Sequence, residues 1–537
     1  TVTGDITIDS IRGNITDPDP TIRPWNNQDF LVGGSRIATL DNARGGGTIK
    51  NAATINMVGP LVVGYEIQND NAGTGKREVL NVGTLTDDAE KGYRGPNGLE
   101  GLHVGYGTAN PSNSKDIFLA PNLGGEGAYG TKKIVVSRTP DEARDKDGNP
   151  IAGREGGYVG YKIGMILTHE YDDPDPNNNY YRLVNGTSTE SGLISFKGKS
   201  SIGIQVYAPQ NSKNNTRIEV INAEKGTIKL GGIESYGMKW STRVANNSTM
   251  DNSGTIEISG DAGTEILPDG TTKVINSLSS GLAVIEDSSS GSGTSAIRAY
   301  QGKVTNSGIV NVSGGKGNTG MVLVVDAPDD ITNTANGTIN VKSTAGKQNI
   351  AMRVDKGNVA TDISGTPKAI NDGNIYLDGD SSIGMVGTNA DVENKLNKKI
   401  VTKAGSTIIN GIGMVTRGGN LENAGEIDLE GTGTSTNIGI YMAKGINSPT
   451  GTFAATSKVT VKGDDSTGVL VSNGALNYGG NITVEGNGVS GLIVGDNDSS
   501  VTNATITNNG VVVTPTVVKT QARNPINVAA DSIGLYV

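Results

Sequence analysis

Cysteine is absent from all 537 residues. The chain therefore has no disulfide to staple a small core, and no thiol nucleophile or thiolate metal ligand. Large aromatics are scarce, with four Phe and two Trp beside 79 Gly, so a thick globular core is excluded. What remains is a thin core of Ile, Val, Leu and Met. Prolines number only 18, which argues against a collagen-like or Pro-rich disordered chain. No apolar run approaches the length of a membrane-spanning helix. Basic residues are outnumbered by acidic ones, 45 against 55, and the net charge is −10. With no basic patch interleaved with aromatics, nucleic acid and anionic membrane are disfavoured as partners. Only two histidines occur, His103 and His169, and neither lies in a catalytic frame.

What is present is a repeat. In register the second half reads GTIKLGGIESYGMKW from Gly226, GTIEISGD from Gly254 and GIVNVSGGKGNTGMVLV from Gly308. GTINVKS from Gly337, GNIYLDGDSSIGMV from Gly373 and GEIDLEGTGTSTNIGIYM from Gly425 follow, then KVTVKGDDSTGVLV from Lys458 and GNITVEGNGVSGLIV from Gly480. The unit is Gly-x-apolar-x-apolar-x-Gly, a polar turn, then Ser/Thr-x-Gly and apolar-x-apolar. Units start about 20–36 residues apart, except for double-length gaps between Gly254 and Gly308 and between Gly373 and Gly425. A constant motif at variable spacing is what loop insertions into a solenoid produce.

Each unit alternates with period two, the signature of a strand. Ile228 and Leu230 point one way and Thr227 and Lys229 the other; Met238 with Trp240, Ile440 with Met442, and Val469 with Val471 repeat the pattern in a second strand. Nothing sustains helical spacing over a dozen residues. Like residues recur at like positions, so stacking units puts like on like, each coil pairing in parallel with the next about 4.8 Å further on. The fold class expected is all-β: a parallel β-helix, right-handed by the preference of parallel crossovers, with long loop insertions toward the N-terminal end. Ile228, Ile256, Val310, Ile339, Ile375, Ile427 and Ile482 should form a buried internal column.

Two further columns have mechanisms. Asn252, Asn306, Asn371, Asn423 and Asn508 each stand two places before a Gly. Stacked at corners, their amides would form a ladder along the axis. Gly203, Gly237, Gly320, Gly384, Gly439, Gly468, Gly491 and Gly534 recur in the second strand, where a positive φ or a close approach between coils would require them.

Residues 1–190 are less regular and read as a head region of the same β-helix carrying excursions; 191–537 read as a stalk of regular repeats. ATINMVGPLVV, KDIFLAPNL, KKIVVSR and YKIGMILT are short apolar segments there, separated by polar insertions near Asp17, Thr139 and His169. Long loops on a rigid scaffold are where binding resides. The candidate receptor-binding segment is Asp172, Asp173 and Asp175 through Tyr180, Tyr181 and Arg182, because Tyr and Arg dominate binding hot spots. The alternative weighed beside it is that both tyrosines fold back over an apolar flank.

Catalytic readings are poor. GDSSIG from Gly379 and GDDSTG from Gly463 are repeat turns, not a serine-protease nucleophile motif. GEGAYG from Gly125 precedes a strand, so it lacks the helix N-terminus of a phosphate site. DKDGN from Asp145 lacks the closing Glu of a calcium loop, and the many Asp show no distinctive cluster for pectin-type cleavage. Asn185-Gly186-Thr187 fits a glycosylation triplet that an Asn- and Thr-rich chain generates by chance. No catalytic residue, metal or cofactor is expected, and the chain is read as not an enzyme.

The recurring NxGTIxLxG…SxGM/I unit, without Cys and rich in Gly and Asn, resembles the passenger of type V autotransporter adhesins. It is most similar to the very large fusobacterial outer-membrane adhesins of the arginine- or galactose-inhibitable kind. The resemblance covers about residues 190–537 well and the rest loosely, and it carries over no functional residue. It implies a secreted passenger displayed at the bacterial cell surface and anchored in the outer membrane through a C-terminal translocation β-barrel. Its partners would be a host-cell receptor protein or glycan, or the surface of another bacterium. Lack of Cys suits a chain threaded through a pore. No signal peptide precedes Thr1, and DSIGLYV at the end matches a second strand, so both ends are expected to be cuts in a larger protein. The alternatives are a polysaccharide-cleaving or polysaccharide-binding β-helix, and a passive surface spacer.

Overall fold

A computed structural model describes residues 1–9, 38–40, 46–58, 62–69, 75–88, 103–106, 116–119, 133–137, 162–169, 179–198, 201–207, 217–232, 234–240, 248–260, 264–266, 272–274, 277–285, 302–325, 329–344, 348–356, 366–495, 500–502, 505–508, 511–513, 517–519 and 533–536. All regular structure among them is β apart from turns, and the chain divides into two compact units, Thr1–Gly302 and Lys303–Val537. Each unit is a parallel β-helix. One coil of the second unit runs Asn374–Asp380, Ile383–Thr388, Asp391–Asn394, and the next begins at Lys399. Each strand pairs in parallel with its counterpart one coil on, so the coil builds an opening, a second and a third sheet.

The period-two pattern explains the first two sheets. Within the first unit Ile228 pairs in register with Ile256. Within the second, Val310, Ile339, Ile375, Ile400, Ile427, Val459 and Ile482 follow one another across successive strands. All are fully buried, as the shared position in the repeat requires.

The third strand was not resolved by the sequence pattern, which distinguished two strands per unit. Its sequences (TMDN, KVTN, DITN, KAIN, DVEN, NLEN) carry one inward residue and end on Asn. That Asn is the ladder rung. In the first unit Asn51, Asn81, Asn185 and Asn222 each donate from Nδ2 to the Oδ1 of the next, ending on Asn252, at 2.7–2.8 Å. In the second, Asn306, Asn333, Asn371 and Asn394 do the same, ending on Asn423, at 2.8 Å. Asn423 then donates to Ser457 Oγ at 2.7 Å, because Phe453 and Tyr478 take the column beyond it with ring centroids 4.9 Å apart. Asn508 is a correction: it ends a strand of the opening sheet in register with Val484, outside the ladder.

The second-strand glycines are required by close approach and not by a positive φ. A Cβ on Gly413 would lie 2.5 Å from the Gly439 carbonyl oxygen and 2.5 Å from Ile427 Cγ2. Gly203, Gly237, Gly320, Gly384, Gly439 and Gly468 meet the next coil in the same way, and none has a positive φ. The bore is that narrow.

A second buried ladder turns the corner into the second sheet, using the Ser or Asn before x-Gly. Ser235 Oγ accepts from the Ser201 N–H at 3.1 Å and Ser279 Oγ from the Ser235 N–H at 3.0 Å. In the second unit, Asn437 Oδ1 accepts from Gly411 and Ser466 Oγ from Asn437, at 2.8 and 3.1 Å. Side chains thus satisfy backbone donors that the turn leaves without a sheet partner.

Candidate functional site

The ladder itself locates the irregular region. Elsewhere within each unit, hydrogen-bonded rungs are 23–38 residues apart in sequence, but Asn81 and Asn185 are neighbours across 104 residues. The coil is therefore complete, with a long excursion inserted into it. The opening-sheet strand Thr84–Thr86 precedes the excursion, and the second-sheet strand Lys162–His169 follows it. Within the interval, His103–Tyr106, Lys133–Ser137 and Asp116–Leu119 form an antiparallel sheet with Lys133–Ser137 in the centre. Antiparallel pairing sets this element apart from the coil.

The next strand of the same coil, Asn179–Asn185, contains half of the candidate receptor-binding residues. Asp172, Asp173 and Asp175 lie outside the described residues. Tyr180, Tyr181 and Arg182 were read as a loop, and the structure corrects this: they belong to the third-sheet strand Asn179–Asn185. The cause is ordinary alternation. Tyr181, Leu183 and Asn185 face the bore in register with Ile218, Val220 and Asn222, while Tyr180 and Arg182 face outward. Tyr181 is fully buried, and its hydroxyl accepts from Arg77 Nη1 at 2.6 Å, so it offers nothing to a partner.

On the outer face, Tyr180 and Arg182 complete two charged rows, Lys76–Tyr180–Arg217 and Glu78–Arg182–Glu219. Arg182 bridges both carboxylates, at 2.5 Å to Glu78 and 2.9 Å to Glu219. Arg217 reaches Glu219 at 2.6 Å and lies 4.3 Å from the Tyr180 ring centroid. Burial pushes the Glu219 carboxyl up, but hydrogen bonds from Tyr180 and Arg217 and the Arg182 charge outweigh it and hold it below the usual range. Burial and the Glu219 bond push the Tyr180 phenol up to about 12. The charges satisfy one another across strands, which makes this row first of all a cross-strand brace.

Those of the remaining motifs that lie among the described residues are structural. Asn185 of the glycosylation triplet is a buried rung. In GDSSIG the Ser382 hydroxyl donates to the Asp378 carbonyl at 2.7 Å, and in GDDSTG Ser466 donates to Ser435 O at 2.6 Å; both are turns. GEGAYG and DKDGN lie outside the described residues, and among those described no three His, Asp or Glu are grouped to hold a metal. Asp428, on the outer face of the opening sheet, is pushed up to about 6 by burial and by the neighbouring Glu430. Sequence reasoning missed the second corner ladder, whose signal was the Ser/Thr-x-Gly already visible in the repeat. It also missed a buried pair of opposite charges at the two stems of the excursion, Asp87 and Lys162. No known family model matches this chain, and no curated protein does.

Proposed function

We propose that this chain is the passenger of a surface-displayed autotransporter adhesin, binding a host-cell receptor or the surface of another bacterium without catalysis. In this reading the β-helix is the scaffold, the N-terminal excursion and its surroundings carry the contact, and a C-terminal β-barrel anchors the whole protein in the outer membrane. The observation that supports it is the unbroken asparagine ladder across a 104-residue interval. A scaffold that holds its register while extruding a separate antiparallel sheet presents that sheet to the surroundings. The repeat motif resembling autotransporter passengers gives the class.

The test is direct binding. Fluorescently labelled chain is titrated onto cultured epithelial cells and onto bacteria of other species. Saturable binding that unlabelled chain displaces is the expected result. No saturable binding to either, together with release of oligosaccharides from plant or bacterial polysaccharide, would favour the polysaccharide-acting alternative.

A further inference from the structure

An asparagine followed by glycine is the pair at which a polypeptide most readily modifies itself. The glycine nitrogen attacks the asparagine Cγ, and with no Cβ beside it little hinders the approach. In a folded chain two conditions must hold: the glycine N–H must not be tied to an acceptor, and water must reach the asparagine amide. Seven Asn-Gly pairs occur in this sequence. Those of Asn97 and Asn509 lie outside the described residues, and those of Asn185, Asn336, Asn410, Asn473 and Asn487 lie among them.

The coil blocks the reaction at four of these five. Asn185 is a buried rung, and the Gly186 N–H donates to the Asn81 carbonyl at 2.7 Å. Asn336 is exposed, but the Gly337 N–H donates to the Thr334 carbonyl at 2.7 Å. The Gly411 N–H is spent in the corner ladder, on Asn437 Oδ1 at 2.8 Å, and the Asn410 amide is itself held on Asp380 Oδ1 at 3.1 Å. Asn473 is buried. At Asn487 both conditions hold. Asn487 and Gly488 are both exposed, and among the described residues no acceptor takes the Gly488 N–H. The glycine is also fixed by the fold: its φ is +64°, and a Cβ there would run into Asp465 Oδ1.

We propose that Asn487 is a site of spontaneous deamidation, at which the chain converts an amide into a carboxylate with time and without an enzyme. The Gly488 nitrogen loses its proton and bonds to Asn487 Cγ. The Cγ–Nδ2 bond breaks, Nδ2 leaves as ammonia with that proton, and a five-membered succinimide remains. Water then opens the ring. Cleavage of the new bond to Cγ leaves aspartate; cleavage of the bond to the Asn487 carbonyl carbon leaves isoaspartate, whose main chain runs through Cγ. Either product is charged, and its surroundings are unfavourable. The Asn487 N–H donates to Asp464 Oδ1 at 2.8 Å, and the Asn487 carbonyl accepts from the Asp465 N–H at 2.8 Å, so the residue joins two coils. A carboxylate here meets Asp464 and Asp465 with like charge. Isoaspartate also turns the accepting carbonyl into a carboxylate and lengthens the main chain. Conversion therefore loosens this corner.

The experiment ages the full chain at pH 6 and pH 8.5, both folded and in denaturing guanidinium, and maps the products by peptide mass spectrometry. In the folded chain Asn487 should convert severalfold faster than Asn185, Asn336, Asn410 and Asn473, and faster at the higher pH. In guanidinium the five should converge, because the dipeptide is the same in all. Hydrogen exchange in peptides covering 463–471 should rise with age in the wild type. It should stay flat in Asn487→Gln, which keeps the backbone donor and acceptor but closes a ring far more slowly. Conversion of Asn487 no faster than that of Asn336 or Asn410, a ranking that persists in guanidinium, or loosening that persists in Asn487→Gln would each overturn the proposal.

Discussion

The two compact units share one coil but differ in what fills it. In the second unit, the bore around Ile375, Leu377, Met385, Ile400, Met414 and Ile427 is apolar, and the buried polar side chains there are neutral ladder or turn groups. In the first, the coil bearing the excursion buries Asp87, Lys162 and Tyr181, and the coil before it places buried Arg77 beside that tyrosine. Neutral amides and hydroxyls suffice where the chain turns within a few residues. Glu66 and Lys239 are buried in other coils, but among the described residues the charged side chains with no exposure at all, Asp87 and Lys162, sit where the coil is interrupted. A buried charge is poor evidence of added stability, because desolvation offsets the attraction between the pair.

The shared element should break hardest. Asn371→Leu removes one rung, so that buried Asn394 Oδ1 loses its Asn371 donor and Asn333 Nδ2 keeps only long bonds of 3.4 Å to the Gly337 and Asn374 carbonyls. At about 1–3 kcal/mol per orphaned group, this should be the largest single loss in the second unit. Asn185→Leu in the first unit should cost a similar amount if the ladder is common to both. Chemical denaturation followed by circular dichroism, with exchange mapping to assign the unit, checks the pair; a cost confined to one unit would break the comparison.

Ile427→Ala comes next, at about 2–4 kcal/mol for a fully buried side chain in a bore too narrow to collapse far. Because solenoid coils lean mainly on their neighbours, exchange should rise first in strands 399–402, 426–429 and 458–462. A melting curve identical to wild type would place Ile427 outside the core.

The charged row on the first unit should matter less. Arg182→Met removes two ion pairs on the outer face, but Lys76 still pairs with Glu78 and Arg217 with Glu219, so the expected loss is about 1 kcal/mol and shrinks as salt is added. A loss of several kcal/mol would make that row a structural keystone and not a brace.

The smallest effect is expected at Asp428, raised to about 6. Its ionised form is penalised in the fold, so wild-type stability should decline as pH climbs from the ordinary aspartate range through about 6. Asp428→Asn should flatten that slope in denaturation curves taken between pH 4 and 7; an unchanged slope would locate the titration elsewhere.

Much of this architecture was legible in the sequence because a β-helix repeats its side-chain alternation. The opening and second strands each bring two inward apolar residues, enough for period two to register. The third strand brings one apolar residue and an Asn, as in DITN, too short a pattern to stand out. Its asparagines were visible, but as corners; they end a strand. The same gap misplaced Tyr180 and Arg182. YYRLVN is a third strand ending on rung Asn185, and aligning that Asn with Asn81 requires looking across 104 residues. The charged stem pair was illegible, since nothing in sequence brings Asp87 and Lys162 together until the coil closes.

The central claim is that a self-sufficient coil presents a separate excursion for adhesion. It is tested most directly by replacing residues 89–161 with a short Gly-Ser turn and measuring cell binding beside hydrogen exchange of the rung strands 75–81, 179–185 and 217–222. The account predicts that the rung strands stay protected while saturable binding is lost. Full binding by the shortened chain, or rung strands that lose protection, would contradict it.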